Sequence, residues 1–213
     1  MKHFFGRPVG IPALLFALSG LTIAFATVEA VQILLGSLPE DSMRLAAAPY
    51  SLFAHTVAGA TFGLIGPLQF GRALARRFGQ LHRIMGRIFV GAGAFLSLSS
   101  LSLFWQFPDG ATVFVSSARL VFGIALGVAL IKAMAAIRAR DIPRHRDWMI
   151  RAYAVGMGAA MVSIVFIPIY VITGTPPMGI TSDIAFVGSW LACIGFAEWV
   201  IHRLHRRAQP AIA

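Results

Sequence analysis

Six long runs of apolar residues, separated by short polar segments, dominate the pattern of the chain. The runs extend over Gly10 to Gly36, Pro49 to Phe70, Ile84 to Trp105, Thr112 to Ile137, Trp148 to Thr173 and Ser182 to Leu204. At about 1.5 Å per residue, a helix of about 20 residues crosses the roughly 30 Å of hydrocarbon in a bilayer. The pattern therefore predicts an all-α integral membrane protein with six transmembrane helices, which form a single domain over residues 1–213.

The composition agrees with lipid as the main solvent of this chain. Hydrophobic residues make up 58% of the sequence and charged residues 12%, whereas soluble domains contain about 25% charged residues. The formal net charge of +10 would suit nucleic-acid binding if the basic residues covered a polar surface. They are instead confined to short segments at the ends of the apolar runs. We therefore expect no nucleic-acid partner.

The distribution of charge also predicts the direction of each span. Sixteen of the 18 Lys and Arg residues lie near the two termini or around the connections after the second and fourth runs. The connections after the first and third runs carry the acids Glu40, Asp41 and Asp109. Because basic segments stay on the cytoplasmic side, we expect both termini to be cytoplasmic. The first run is longer than the apolar core of a secretory signal, so we interpret it as an uncleaved span.

The second and fourth runs share a pattern that indicates an internal repeat. Each has one polar residue followed by glycines four and eight positions later: His55 with Gly59 and Gly63, and Arg119 with Gly123 and Gly127. A His-Arg pair follows 27 residues after the first polar residue and 26 after the second. We predict a four-helix core of helices 2 to 5 with a hairpin repeat and close helix contacts at the glycines. Chance similarity between glycine-rich helices is the alternative.

Three ionisable residues, Glu29, His55 and Arg119, lie at similar depth in the outer halves of their helices. Each is about 10 Å below the outer boundary. Because a buried charge needs a partner, we expect Glu29 to pair with Arg119 and His55 to join them. This group either ties three helices together or forms an outer polar pocket. Such a pocket would suit a quinone head group, a proton relay or, through His55, ligation of a metal or haem. The ionisable residues nearer to span ends are expected to reach interfacial water: Lys132, Asp183 and Glu198.

A second group of polar residues lies at the inner helix ends. It consists of two histidines and four nearby arginines: His82, His145, Arg83, Arg87, Arg146 and Arg151. The predicted repeat would bring the two histidines together. Facing imidazoles suit axial ligation of haem iron, and guanidinium groups suit haem propionates. The same residues suit contact with anionic lipid head groups at the cytoplasmic face, and both interpretations stay open.

Two His-Arg segments resemble those of a bacterial family of predicted membrane proteins, domain of unknown function 2306. Residues 82–89 read HRIMGRIF, and residues 145–153 read HRDWMIRAY. The chain departs from the family pattern by having Phe89 where tyrosine is common, and by lacking an arginine near Ser163. The resemblance covers roughly Pro49 to Tyr170. It implies a multi-pass protein of the bacterial inner membrane and no particular reaction.

Our leading functional hypothesis is a membrane redox or ligand-binding component that holds b-type haem or quinone. The chain has no soluble domain for a nucleotide donor, so a redox role would need quinone or a membrane-protein partner. The alternatives are a small-molecule or ion transporter and a structural or assembly subunit of a membrane complex. Motifs for covalent haem attachment, zinc proteolysis and nucleotide hydrolysis do not occur, so the sequence offers no signature for those activities.

Overall fold

The chain is mainly α-helical in the residues that the structure, a computed structural model, describes: 10–37, 49–106, 112–175 and 177–208. The α-helices are α1 (Gly10–Leu35), α2 (Pro49–Gln69), α3 (Arg72–Arg77), α4 (Gly79–Gln106), α5 (Val113–Arg138), α6 (Ile142–Gly158), α7 (Ser163–Thr173) and α8 (Gly179–Ala208). A short 3-10 helix, Ala160–Val162, separates α6 from α7. The predicted all-α class is confirmed, and these ranges contain no strand.

Several residues used in the sequence analysis lie outside the described part. They are Lys2, Arg7, Glu40, Asp41, Arg44 and Asp109, together with the side chains of Glu29, Arg72 and Arg207. The predicted pairing of Glu29 and the predicted sidedness of the outer connections therefore stay predictions.

Membrane embedding follows from the length and composition of the helices. Among the described residues, α2, α4, α5 and α8 are each long and apolar enough to cross a bilayer. Together, α6 and α7 make a fifth span when the bent pair is counted as one. Helix α1 coincides with the first predicted span, but many of its side chains lie outside the described part, so a sixth span stays a prediction.

The surface of the bundle is apolar, as lipid contact requires. Large hydrophobic side chains on α4, α5 and α8 point outward, and Leu98, Ile131 and Ile184 are 67%, 71% and 65% exposed. A soluble protein of this size would bury most such residues. The exposed side chains therefore form the lipid-facing surface.

Four helices form the centre of the bundle. Helix α2 packs against α4 and α6, and α5 packs against the same two helices, which closes a ring. Helices α4 and α6 also touch each other, so they are the closer diagonal pair. Helix α1 packs on α2, and α8 packs mainly on α6. This arrangement agrees with the predicted core and its flanking helices, but the contacts do not establish the predicted repeat.

An aromatic cluster occupies the middle of this core. Phe62 and Phe89 are fully buried, and their rings stack with centroids 4.1 Å apart. Tyr153 lies beside both rings. Gly93 and Gly156 leave the space for Phe62, because a Cβ at either would come within 2.7 Å of its ring. Phe89, the departure from the family pattern, is thus a core residue that needs no hydroxyl partner.

The glycine contacts agree with the prediction at Gly123 and not at Gly59. A Cβ at Gly123 would lie 2.5 Å from Ser100 Oγ, so the helices approach closely there. The prediction for Gly59 was wrong, because its nearest neighbour would be Leu96 Cδ1 at 3.7 Å, an ordinary contact. The tight contacts of α2 lie at Gly63, where the prediction agrees with the structure, and at Gly66; at both positions the helix meets α6.

The fifth predicted span is not one continuous helix, contrary to expectation. Helix α6 ends at Gly158, and the chain bends by 51° before it continues through the 3-10 turn into α7. Pro168 lies inside α7 and does not cause the bend. A Cβ at Gly158 would overlap the indole of Trp190 from α8. Trp190 also donates from Nε1 to the Val155 carbonyl at 3.1 Å, which satisfies a backbone acceptor near the break.

Candidate functional site

His82 and His145 lie in the first turns of α4 and α6, at the ends that the sequence predicts to face the cytoplasm. These helices form the diagonal pair of the core. Asp141 caps the N-terminus of α6 by accepting a hydrogen bond from the Arg144 backbone amide at 3.0 Å. The two imidazoles are close enough to interact electrostatically. The predicted meeting of the two histidines is therefore compatible with this arrangement.

A single hydrogen bond orients the His145 ring. Its Nδ1 lies 2.9 Å from the Ala133 carbonyl of α5, and because a carbonyl only accepts, Nδ1 carries the proton. The neutral ring then has its lone pair at Nε2. A backbone carbonyl behind one imidazole nitrogen is the arrangement that fixes metal-ligating histidines in other proteins.

Two buried nitrogens near the inner ends of α2 and α4 have no hydrogen-bond partner among the described residues. They are Nδ1 of His82 and Nε2 of Gln69. A Cβ on Gly86, one turn after His82, would lie 3.3 Å from Gln69 Oε1, so Gln69 packs against the same helix as His82. A buried polar atom without a partner usually marks a water or ligand position. Sequence reasoning missed Gln69.

The four arginines near the histidines differ in their surroundings. Arg83 and Arg87 are exposed. Arg146 instead donates to the buried Asp147 at 3.1 Å, and Arg151 pairs with Glu198 through two hydrogen bonds of 2.6 and 2.8 Å. Two of the predicted anion-binding groups are therefore already neutralised by carboxylates.

Asp147 and His205 were missed by the sequence analysis. Asp147 is 7% exposed and lies 2.6 Å from Nε2 of His205, which comes from the last turns of α8. The carboxylate thus connects the N-terminal part of α6 to the C-terminal part of α8. Asp147 is one of two acids inside a segment of six basic residues, and this was the available signal, because a buried acid in such a segment is expected to be paired.

Trp148 has two cations beside its ring. Nζ of Lys132 is 4.5 Å and Cζ of Arg151 is 4.8 Å from the ring centroid, within the range of cation–π attraction. The sequence analysis left Lys132 aside as a residue able to reach the inner interface. Glu198, which was expected to reach interfacial water, keeps an exposed side chain but binds Arg151.

The outer polar residues partly converge. His55 Nδ1 lies 2.8 Å from Ser99 Oγ of α4, and His55 interacts electrostatically with Arg119. Cζ of Arg119 is 5.3 Å from the ring centroid of Phe186 on α8. His55 and Arg119 are therefore neighbours, while the side chain of their predicted partner Glu29 lies outside the described part.

The expectation for Asp183 was wrong. Its side chain does not reach interfacial water: the residue is 7% exposed and accepts a hydrogen bond of 2.8 Å from Thr112 Oγ1. The same threonine oxygen accepts the Val115 amide at the start of α5. Asp183 is buried because the packing of α8 on α5 and α6 covers it, which hydropathy along one helix does not reveal.

The family model described as "Predicted membrane protein (DUF2306)" matches residues 52–201. The chain belongs to this family. The part matched to DUF2306 runs from α2 into α8 and includes His55, His82, Arg119 and His145, but not Glu29 or His205. No curated protein and no solved structure matches the chain. Within the described residues of this DUF2306 protein, no cluster of three or more His, Cys, Asp or Glu side chains is arranged to hold a metal ion.

Proposed function

We propose that this protein is a membrane-embedded redox component that binds b-type haem between His82 of α4 and His145 of α6. Haem iron already carries four porphyrin nitrogens and needs only two axial ligands from the protein. One imidazole from each of two diagonal helices meets that need. Bound haem would supply one-electron transfer to a quinone or a protein partner.

The observation that carries the proposal is the hydrogen bond from His145 Nδ1 to the Ala133 carbonyl. It holds the ring with the Nε2 lone pair available, as ligation requires. The buried Nδ1 of His82, without a hydrogen-bond partner among the described residues, supports the same site from the opposite helix. Of the nearby arginines, the exposed Arg83 and Arg87 are the better candidates for the propionates, since Arg146 and Arg151 already bind carboxylates.

The distribution of charge supports a position in the bacterial inner membrane with six spans and both termini cytoplasmic. The basic residues Arg138, Arg140 and Arg144 surround the connection between α5 and α6. That connection lies at the same end of the bundle as His82 and His145. By the positive-inside rule the proposed haem would then lie near the cytoplasmic edge.

A visible absorption spectrum of the full chain, expressed with haem supply and purified in detergent, tests this proposal. We expect a Soret band that is lost in His82→Ala and in His145→Ala. His202→Ala is the matched control, because His202 is an exposed histidine of α8, and it should keep the band. A folded but colourless wild-type protein, or a band that survives both core substitutions, would show that the histidine pair does not hold haem.

A transporter is the second candidate, and the broken fifth span favours it. The 51° bend between α6 and α7 interrupts a helix within the predicted membrane span. Discontinuous helices of this kind form the substrate sites of many transporters. The polar residues His55, Ser99 and Arg119 lie in the outer half of the neighbouring helices. A colourless protein in the experiment above would leave this candidate as the stronger of the two.

A further inference from the structure

A crevice of about 130 Å³ lies between α5, α6 and α8, apart from the histidine pair. Its floor is apolar and consists mainly of small residues: Ala125, Ala129, Val155, Ile194 and Ala197. The volume is close to that of an engineered apolar cavity that accepts one benzene molecule, about 150 Å³. It can hold a section of a hydrocarbon chain and is too small for a folded protein segment.

The rim of the crevice is charged. Trp148, Arg151 and Glu198 line it, and Lys132 places its ammonium 4.5 Å from the centroid of the Trp148 ring. Glu198 neutralises Arg151 through a two-bond ion pair. Lys132, by contrast, forms no ion pair with any described residue. Lys132 therefore places beside the rim, next to Trp148, a positive charge that has no carboxylate partner among the described residues.

The rim and the floor are arranged along the direction of the helices. Val155 follows Arg151 by four residues, and Ile194 precedes Glu198 by four, so these floor residues lie about 6 Å from the charged rim, toward the middle of the bundle. Ala125 lies about 10 Å from Lys132 in the same direction. Cationic and aromatic side chains at one end, with an apolar groove leading into the membrane, match the two parts of a phospholipid.

We infer that this crevice is a binding site for one anionic phospholipid of the leaflet next to the inner helix ends. The phosphate contacts the Lys132 ammonium beside Trp148, and one acyl chain lies along the alanine and valine floor. The unpaired charge of Lys132 favours an anionic over a zwitterionic lipid. A quinone ring would fit less well, because the floor offers it no hydrogen-bond donor.

Native mass spectrometry of the full chain in detergent tests the site with two lipids of equal chain length. We expect phosphatidylglycerol to bind about fivefold more tightly than phosphatidylcholine at one saturable site, the preference expected for one lysine near the membrane surface. Lys132→Gln should abolish this preference. Arg138→Gln is the matched control, because Arg138 is an exposed base of the same helix outside the crevice, and it should retain the preference.

A second substitution tests the part of the site that binds the acyl chain. Ala125→Leu should fill the crevice and weaken the binding of both lipids. The visible absorption spectrum of this variant, with or without a Soret band, should be the same as that of the wild type. Equal affinity for the two lipids, an equal loss in Arg138→Gln, or full displacement of the lipid by inorganic phosphate would each overturn the inference. Displacement by inorganic phosphate would show that the rim binds a soluble anion instead of a lipid.

Discussion

The two parts of the fifth span, α6 and α7, differ in how many of their residues are buried. Helix α6 buries eight of its residues in the core, among them Asp147, Tyr153 and Gly158. Helix α7 buries none, and Val171 and Ile172 near its end are 75% and 82% exposed. The part with charged and small residues is thus the buried one, and the part without charged residues faces outward.

This difference shows which residues organise a helix bundle in lipid. Apolar side chains gain little by leaving hydrocarbon for a protein interior, so hydropathy does not drive α7 into the bundle. Small residues allow close approach of helices, and polar side chains find partners only inside the protein. In α6, Gly156 and Gly158 provide the close approach, and Asp147 and Arg151 pair with α8.

The largest effect on stability is expected in the outer half of the bundle. Helix α7 contributes no buried residue there, so we expect stability in this half to depend on pairs of polar side chains. Arg119, next to His55 and Phe186, is predicted to pair with Glu29. Glu29→Gln and Arg119→Met should each lower the unfolding free energy in detergent by about 3 kcal/mol or more, because each leaves a charge without its partner. The double variant should recover part of that loss. Strictly additive losses would contradict the pairing.

The next largest effect on stability is expected at the bend between α6 and α7. Gly158→Leu should destabilise the protein by about 2 to 3 kcal/mol, since even a Cβ at this position overlaps Trp190. Gly188→Leu on α8 is the matched control, because a Cβ there meets no atom within 4 Å. Thermal unfolding of both variants measures the difference. Equal stability of the two would mean that Trp190 does not hold the bend.

The smallest effect compares one tyrosine from each part of the span. Tyr153 is buried, and its hydroxyl lies within hydrogen-bond distance of Ser19 Oγ, at 2.7 Å, and of the Gly63 carbonyl oxygen, at 3.3 Å. Tyr153→Phe should cost about 1 kcal/mol, the typical value of one hydrogen bond. Tyr170 of α7 is 55% exposed, and Tyr170→Phe should leave the midpoint of chemical unfolding unchanged. A loss as large in Tyr170→Phe would show that α7 is packed after all.

Much of the candidate site could be predicted from residue type and position. His82 and His145 stood out because each is followed directly by an arginine within a basic segment, and Arg119 because a charge within an apolar run needs a partner. The ion pairs of Asp147 and Glu198 were missed or misjudged, since each pair joins α6 to α8 across 47 residues or more of the chain. No local pattern connects residues that far apart.

The sequence by itself determined that this protein is helical and membrane-embedded, and to which family it belongs. Those properties follow from runs of apolar residues and from motifs, and both are local. The bend after Gly158, the outward position of α7 and the burial of Asp183 were decided only by the tertiary structure. They depend on how Trp190, Thr112 and the neighbouring helices pack against these positions. In lipid, such contacts depend on shape and on polar partners, and hydropathy does not encode them.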